Sequence, residues 1–366
     1  MVVRIFVAGL AAEPTLLAQV LGQYDVEPAT VQGLTLAQSD LGPWPVVQPG
    51  AGGTDGLILT LPEEPARRLD FVLRSLGLTP VHWPDLPATA YLGSGQGPMS
   101  VTAPKVAAVL AEAVRDILPL YGVTSAPEVA ARLTPILIRA ASRLRAEPAP
   151  TTLRHPQTAQ DVTVKARRQP YAHFFAIEEY DVSWRRFDGT LSDTVTRAAF
   201  LSGDAVTVLP YDPVRDRVLV VEQFRAGPLA RGDGQCWQIE AIAGRIDPFE
   251  TPEAAARREA AEETGLILTD LRFVARYYPS VGAVSEYLYS YVAVTDLPDG
   301  CAGVFGEASE AEDIRGHLMA FDRLIDLVSS GEIENASLIL TALWLQRERS
   351  RIRHGGQTAH PAGIGA

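Results

Sequence analysis

Residues 244–266 read Gly-Arg-Ile-Asp-Pro-Phe-Glu-Thr-Pro-Glu-Ala-Ala-Ala-Arg-Arg-Glu-Ala-Ala-Glu-Glu-Thr-Gly-Leu, and local chemistry leaves this run few conformations. Thr251 is an N-cap residue, and Pro252 suits the first helical position because it has no N–H to leave unpaired. Gly265 stands where a left-handed C-terminal residue is wanted. The spacing predicts a helix from Pro252 to about Thr264. On it Glu259 and Glu263 are four apart and Glu262 is three beyond Glu259, so three carboxylates share neighbouring turns of one face. Like charges at that spacing cost roughly 0.2–0.5 kcal/mol per pair in an isolated helix, and the helix dipole also disfavours anions near the C-terminal end. Something positive has to offset this. A hard divalent cation with oxygen ligands would do so, with Mg2+ completing its shell from water and substrate phosphates. The alternative is a solvated helix with Arg257 and Arg258 as partners.

The rest of the chain sets the frame for that helix. Its 366 residues are enough for two or three domains, and 47% hydrophobic with 21% charged residues excludes wholesale disorder. The longest apolar runs, Val206–Leu209 and Val218–Val221, are strand-sized and far below a membrane span. Met1 to Ala8 reads as a first strand and not as a signal peptide. Cys236 and Cys301, without ligand spacing between them, fit a reducing cytoplasm. A net charge of −12 speaks against nucleic acid as the main partner.

Three stretches differ in pattern. Residues 1–90 alternate strand patterns (Val2–Val7, Thr30–Ala37, Gly56–Leu61) with turn clusters such as Gly50-Ala51-Gly52-Gly53. A helix then opens at Pro62 with Leu69, Val72, Leu73 and Leu76 on one face. Residues 91–150 read as a helical connector: Val106, Leu110, Val114 and Ile117 recur at core spacing. A second helix starts at the capping box Ser125-x-x-Glu128, with a kink expected at Pro135. Arg132, Arg139 and Arg143 form a stripe on it, read as a solvated face rather than an anion site. After the linker-like run Glu147 to Thr152, residues 151–352 are strand-rich with one central and one closing helix, predicting a mixed sheet sandwiched by helices. Residues 353–366 read as a flexible tail.

The central helix carries a further pattern. Gly244, five residues, Glu250, seven residues, Arg258-Glu259, Ala260, one residue, Glu262-Glu263, one residue, Gly265-Leu266 resembles the Nudix box at every defined position, with Ala260 small where a larger aliphatic is usual. The resemblance implies a Nudix α/β/α sandwich and hydrolysis of a nucleoside diphosphate linked to another moiety, with Mg2+ or Mn2+. It implies Glu259 and Glu263 as metal ligands, Glu262 as a ligand directly or through water, and the carbonyl of Ala243 as an added ligand. Gly244, Glu250, Arg258 and Gly265 would be structural residues of the loop, Arg258 pairing with Glu250.

Outside the box the chain resembles bacterial ADP-ribose pyrophosphatases over about residues 160–350. Phe174-Phe175, Leu209 to Asp216, Val221-Glu222-Gln223-Phe224-Arg225, Ser309 to Arg315, Gly331 to Ala336 and Trp344-Leu345-Gln346 carry this resemblance. It implies Glu310 as general base beside Glu262 and Glu263, and Glu312 as a further metal ligand. Arg197 and Arg225 would grip substrate, Phe174 would stack on the adenine across a homodimer interface, and Glu240 would contact the nucleotide or partner subunit. The subfamily's Ser-Pro-Gly is here Ser280-Val281-Gly282, which leaves GDP-mannose and other nucleotide sugars as alternative substrates.

The order of Ile5 to Leu10, Pro28 to Gly33, Asp55 to Ile58 and Arg68-Leu69-Asp70 resembles the gamma-glutamylcyclotransferase-like α+β barrel over about 85 residues. That family's catalytic glutamate falls on or near Leu73, so the resemblance implies a non-catalytic domain for binding, docking or stability. The pairing of domains is similar to tellurite-resistance-associated Nudix proteins. The sequence thus predicts an α+β, Mg2+-dependent ADP-ribose diphosphatase. The resemblance implies a homodimer acting on a small molecule, and the composition a cytoplasmic protein without nucleic-acid or membrane partners. The alternative is a nucleotide sensor or scaffold, against which the three retained glutamates stand.

Overall fold

The computed structural model describes residues 2–22, 24–99, 101–146, 150–173, 175–306 and 312–355. Two compact units divide the chain: residues 1–162 with 171–176, and residues 163–170 with 177–366.

In the first unit β1 (Val2–Val7), α1 (Pro14–Val20), β2 (Asp25–Ser39), β3 (Pro45–Pro62) and α2 (Glu63–Ser75) are followed by β4 (Thr79–His82), β5 (Thr89–Leu92) and β6 (Gly95–Pro98). Then come α3 (Pro104–Ile117), α4 (Ala126–Ala130) and α5 (Leu133–Arg145). The sheet order is β4-β5-β1-β3-β2-β6, with β1 and β5 parallel. Phe6, Val31, Leu34, Val47 and Ile58 fill one of its cores. The run Gly50 to Gly53 is strand and not the expected turn: it lies inside β3, with Gly53 opposite Gln32 of β2 and residues 50–52 in the register shift before Pro49 pairs with Leu34, and includes Gly52 at φ +117°. Glycine's tolerance of positive φ lets a long strand bend without ending. The helices after residue 100 pack on α1 and α2 within this same unit, so the boundary falls at 162 and not on either side of a separate connector.

Two other expectations here need correcting. The helix after Ser125 does not continue through Pro135 with a kink. It ends at Ala130 and restarts at Leu133, so that Pro135 sits in the first turn of α5, where a missing N–H breaks no bond. Nor are the three arginines a solvated stripe. Arg139 is 5% exposed and faces Asp116 of α3, Arg143 bonds Glu112 and Asp116, and Arg132 donates to the carbonyl of Ala172.

The second unit begins with β7 (Val162–Ala172), β8 (Ala176–Trp184) and β9 (Val195–Leu201), which form a three-stranded sheet; the tip between β7 and β8 groups with the first unit. Next come β10 (Asp204–Asp212), β11 (Arg217–Phe224), α6 (Ala226–Arg231), β12 (Trp237–Glu240), β13 (Ile242–Arg245) and α7 (Pro252–Thr264). The unit ends with β14 (Asp270–Tyr277), β15 (Tyr287–Val294), β16 (Val304–Phe305), β17 (Ile314–Ala320), α8 (Phe321–Ser330) and α9 (Ala336–Arg353). Its main sheet runs β14-β15-β10-β11-β17-β16, with β12 paired to β11 and β13 to β10; β10 and β15 are parallel.

Period-two alternation sorts this sheet into two cores. Val206, Val208, Leu219 and Val221 face α7, meeting Ala255, Ala256 and Ala260. Leu209, Tyr211, Val218 and Val220 face α8 and α9, meeting Phe321, Leu324, Leu338 and Leu345. Helices therefore cover both faces of a mixed sheet. Ala255, Ala256 and Ala260 of α7 are fully buried, and their small side chains bring the carboxylate helix close to the strands.

Candidate active site

The α7 helix forms where its caps predict. Thr251 Oγ1 accepts the N–H of Ala254 at 3.2 Å, and Gly265 closes the helix at φ +68°. Strand β13 leads into it, with Ala243 opposite Thr207 and Gly244 opposite Val206 of β10. A Cβ on Gly244 would stand 1.9 Å from the Glu259 carboxylate, so only glycine lets that side chain lie against the strand.

Arg258 ties the approach loop to the helix. Its Nε and Nη2 donate to the two oxygens of Glu250 at 2.9 and 3.0 Å, and Nη2 also reaches the carbonyl of Arg245 at 3.0 Å. Nη1 bonds Glu259 at 2.8 Å and Glu262 at 3.0 Å. Arg257 turns instead to the carbonyls of Glu253 and Leu268, so it neutralises none of the three glutamates. Glu263 is 2% exposed, and its carboxylate accepts the Ala243 N–H at 3.3 Å. Burial first, then the charges of Glu259 and Glu312, push the Glu263 carboxyl up to about 8. Burial, outweighing Arg258 and reinforced by Glu262 and Glu312, pushes Glu259 up to about 7. Carboxyl groups are thus concentrated in a poorly solvated place where Arg258, the one guanidinium bonded to Glu259 and Glu262, does not offset the burial.

The other expected residues divide into two groups. Arg225 stands at the end of β11 and grips Glu240 of β12 with two nitrogens, at 3.1 and 2.7 Å. Burial pulls Arg225 down, but Glu240, Glu263 and Glu312 outweigh it and hold the guanidinium above its usual value. Arg225, Glu240, Glu312, Glu259 and Glu263 therefore share one electrostatic neighbourhood. Arg197 does not join it: on β9 it lies over the ring of Trp184, 5.7 Å from the centroid, and donates to the carbonyl of Thr196. Phe174 and Glu310 lie outside the described residues. Val281 is 81% exposed in the turn before β15.

One residue absent from the sequence-based set belongs here. Glu286, just before β15, has its carboxyl raised by burial and lies within the fields of Arg245 and Arg225, bonding Ser202 at 3.3 Å. A charged residue leading directly into the apolar run Tyr287–Val294 is the signal that would have found it.

The donor set fits a hard divalent cation: buried carboxylate oxygens, mutually repelling and short of positive charge. The arrangement is not pre-assembled. Among the described residues no three acidic, histidine or cysteine side chains stand close enough together to enclose an ion, because Arg258 lies between Glu259 and Glu262. Among the same residues, no helix is long and apolar enough to cross a membrane.

Comparison with known proteins agrees with this geometry. A NUDIX domain matches residues 201–339, which run from the end of β9 into α9. The ADP-ribose pyrophosphatase of Escherichia coli is 36% identical over 194 residues, 53% of this chain and 92% of that protein. That of Haemophilus influenzae is 29% identical over 196 residues, 53% of this chain and 90% of its own. The GDP-mannose pyrophosphatase of Salmonella paratyphi B is 33% identical over 150 residues, 41% of this chain and 77% of that protein. With its box, its helix-covered mixed sheet and relatives matched over nearly their whole length, the chain belongs to the Nudix hydrolases.

Proposed function

We propose that the protein hydrolyses the diphosphate of ADP-ribose, adding water to give AMP and ribose 5-phosphate, with Mg2+ as its cation and Mn2+ able to replace it. The observation that carries the reading is the buried Glu259–Glu263 pair, whose carboxyls stay raised although Arg258 bonds one and Arg225 lies near the other. Two relatives named ADP-ribose pyrophosphatase narrow the substrate.

Glu259, Glu262, Glu263, Glu312 and the Ala243 carbonyl would hold the cation. When bound, it neutralises the diphosphate, polarises its P–O bonds and favours ionisation of water. Glu310 takes the proton of the water that attacks one phosphorus, and the bond from that phosphorus to the bridging oxygen breaks. Arg225, held in place by Glu240, grips phosphate oxygens bidentately. Arg197 grips the same substrate and Phe174 stacks on its base across a homodimer in the cytoplasm. Leu73 stands on or near the position where the cyclotransferase resemblance expects the catalytic glutamate, so that proton transfer has no candidate base. The first unit accordingly serves binding or stability rather than catalysis.

GDP-mannose is the second reading, favoured by Val281 and by the Salmonella relative. Purified protein with Mg2+ should release AMP and ribose 5-phosphate in equal amounts from ADP-ribose, and EDTA should stop it. Faster release of GMP from GDP-mannose would replace the substrate. Cleavage of neither would sink the hydrolase reading and leave a nucleotide sensor.

A further inference from the structure

Leu219 and Val221 of β11 pack against the alanines of α7, and alternation puts Gln223 next on the same face. Gln223 is 6% exposed, and its Nε2 has no hydrogen-bond partner among the described residues. Its setting is charged at one end and apolar at the other. Val221 stands opposite Glu240, and Gln223 opposite Gln238, in the β11–β12 register. Arg225, two residues beyond Gln223, closes onto Glu240. Ile314, buried in the core cluster that faces α7, leads back two residues to Glu312, whose charge acts on Arg225, Glu259 and Glu263.

A buried N–H with nothing to donate to destabilises the fold, whereas leucine or methionine would extend the row of Leu219 and Val221 at no such cost. Glu240 turns its two oxygens to Arg225, and neither accepts from Nε2. The donor therefore stands ready for something that enters. Of what the site would admit, the phosphate chain offers the densest set of acceptor oxygens, and Arg225 draws it to this end of β11.

We propose that Gln223 is a substrate-binding residue whose Nε2–H donates to a phosphate oxygen of the nucleoside diphosphate beside Arg225. This rests on the hydrolase reading above. Arg225 supplies charge, which tolerates a range of positions, while the carboxamide on a buried strand supplies a fixed direction. A bond made equally to bound substrate and transition state acts on KM and leaves kcat alone.

The test compares wild type with Gln223→Met and Gln223→Leu, reading the ligand-free Tm and the steady-state constants for ADP-ribose with Mg2+. We expect Tm equal to or above wild type, KM raised about tenfold, which is about 1.4 kcal/mol, and kcat changed less than about threefold. An unchanged KM overturns the proposal. So does loss of the fold in both variants, which would give the amide a structural partner. If wild type cleaves no nucleotide sugar, the hydrolase reading fails separately. Calorimetric binding of ADP-ribose then decides: a tenfold weaker Kd in Gln223→Met sustains the role of Gln223, and equal or absent binding removes it.

Discussion

Each unit of this molecule buries a group of charged side chains, and the two groups are built on opposite terms. Between α3 and α5, Glu112 and Asp116 meet Arg139 and Arg143, with Arg115 also on Glu112, so that each acid faces at least one guanidinium group. Around α7, Glu250, Glu259 and Glu262 converge on Arg258, while Glu263 lies deeper, accepting a backbone N–H and meeting Arg225 only through its field. The first group is balanced internally and asks for nothing further. The second leaves two carboxyls raised by burial and mutual repulsion, a state that a cation relieves. Burial of charge alone does not mark a functional site; burial of unbalanced charge does.

The largest effect expected from this contrast lies in the balanced group. Asp116→Leu would take from Arg139 and Arg143 the carboxylate they share, and removing one partner of a buried pair costs about 3–5 kcal/mol. Urea unfolding should show that loss, while kcat/KM of the folded protein stays at the wild-type value. Combining it with Arg139→Met should recover most of the stability. Loss of activity at unchanged stability would mean that the two groups are not of different kinds.

In the unbalanced group the signs reverse. Glu263→Gln keeps an oxygen for the Ala243 N–H and removes a carboxyl whose ionisation burial and Glu259 oppose, so Tm should hold or rise. Turnover should fall at least about a hundredfold, about 2.7 kcal/mol of transition-state stabilisation. Near-normal rates with a lowered Tm would make Glu263 a structural residue and erase the comparison from the other side.

How much of this was readable in advance follows the range of the interactions. The α7 helix was legible to the residue because Thr251, Pro252 and Gly265 act within one turn of themselves. Its carboxylate face follows from helical period alone. The family resemblance points to Arg225 and Glu240 separately and not as partners, because only the β11–β12 register brings residues fifteen apart into contact. Arg139 looked like part of a solvated face because the Asp116 that holds it lies on another helix, and no local pattern records helix packing. The same holds for Pro135: its place in a first turn depends on a break at Ala131–Arg132 that the capping box upstream does not foretell. Local rules reached the site's chemistry, and pairing across the sheet or between helices supplied its electrostatics.

The smallest expected effect separates the helix from its charge. Thr251→Ala removes the side-chain acceptor for the Ala254 N–H and should cost about 1 kcal/mol. The buried Ala255, Ala256 and Ala260 keep α7 against the sheet, so activity should change less than about twofold. Mg2+ sharpens the contrast, because a ligand at a hundred times its Kd stabilises the fold by about 2.7 kcal/mol. Thermal melts of Thr251→Ala with saturating Mg2+ should therefore lie above those of metal-free wild type, the cation outweighing the lost cap. The same addition should do far less for Glu263→Gln, whose charge deficit the mutation has already reduced. Equal Mg2+ shifts in both variants would place the cation elsewhere than on α7, and with it the imbalance that distinguishes the second unit from the first.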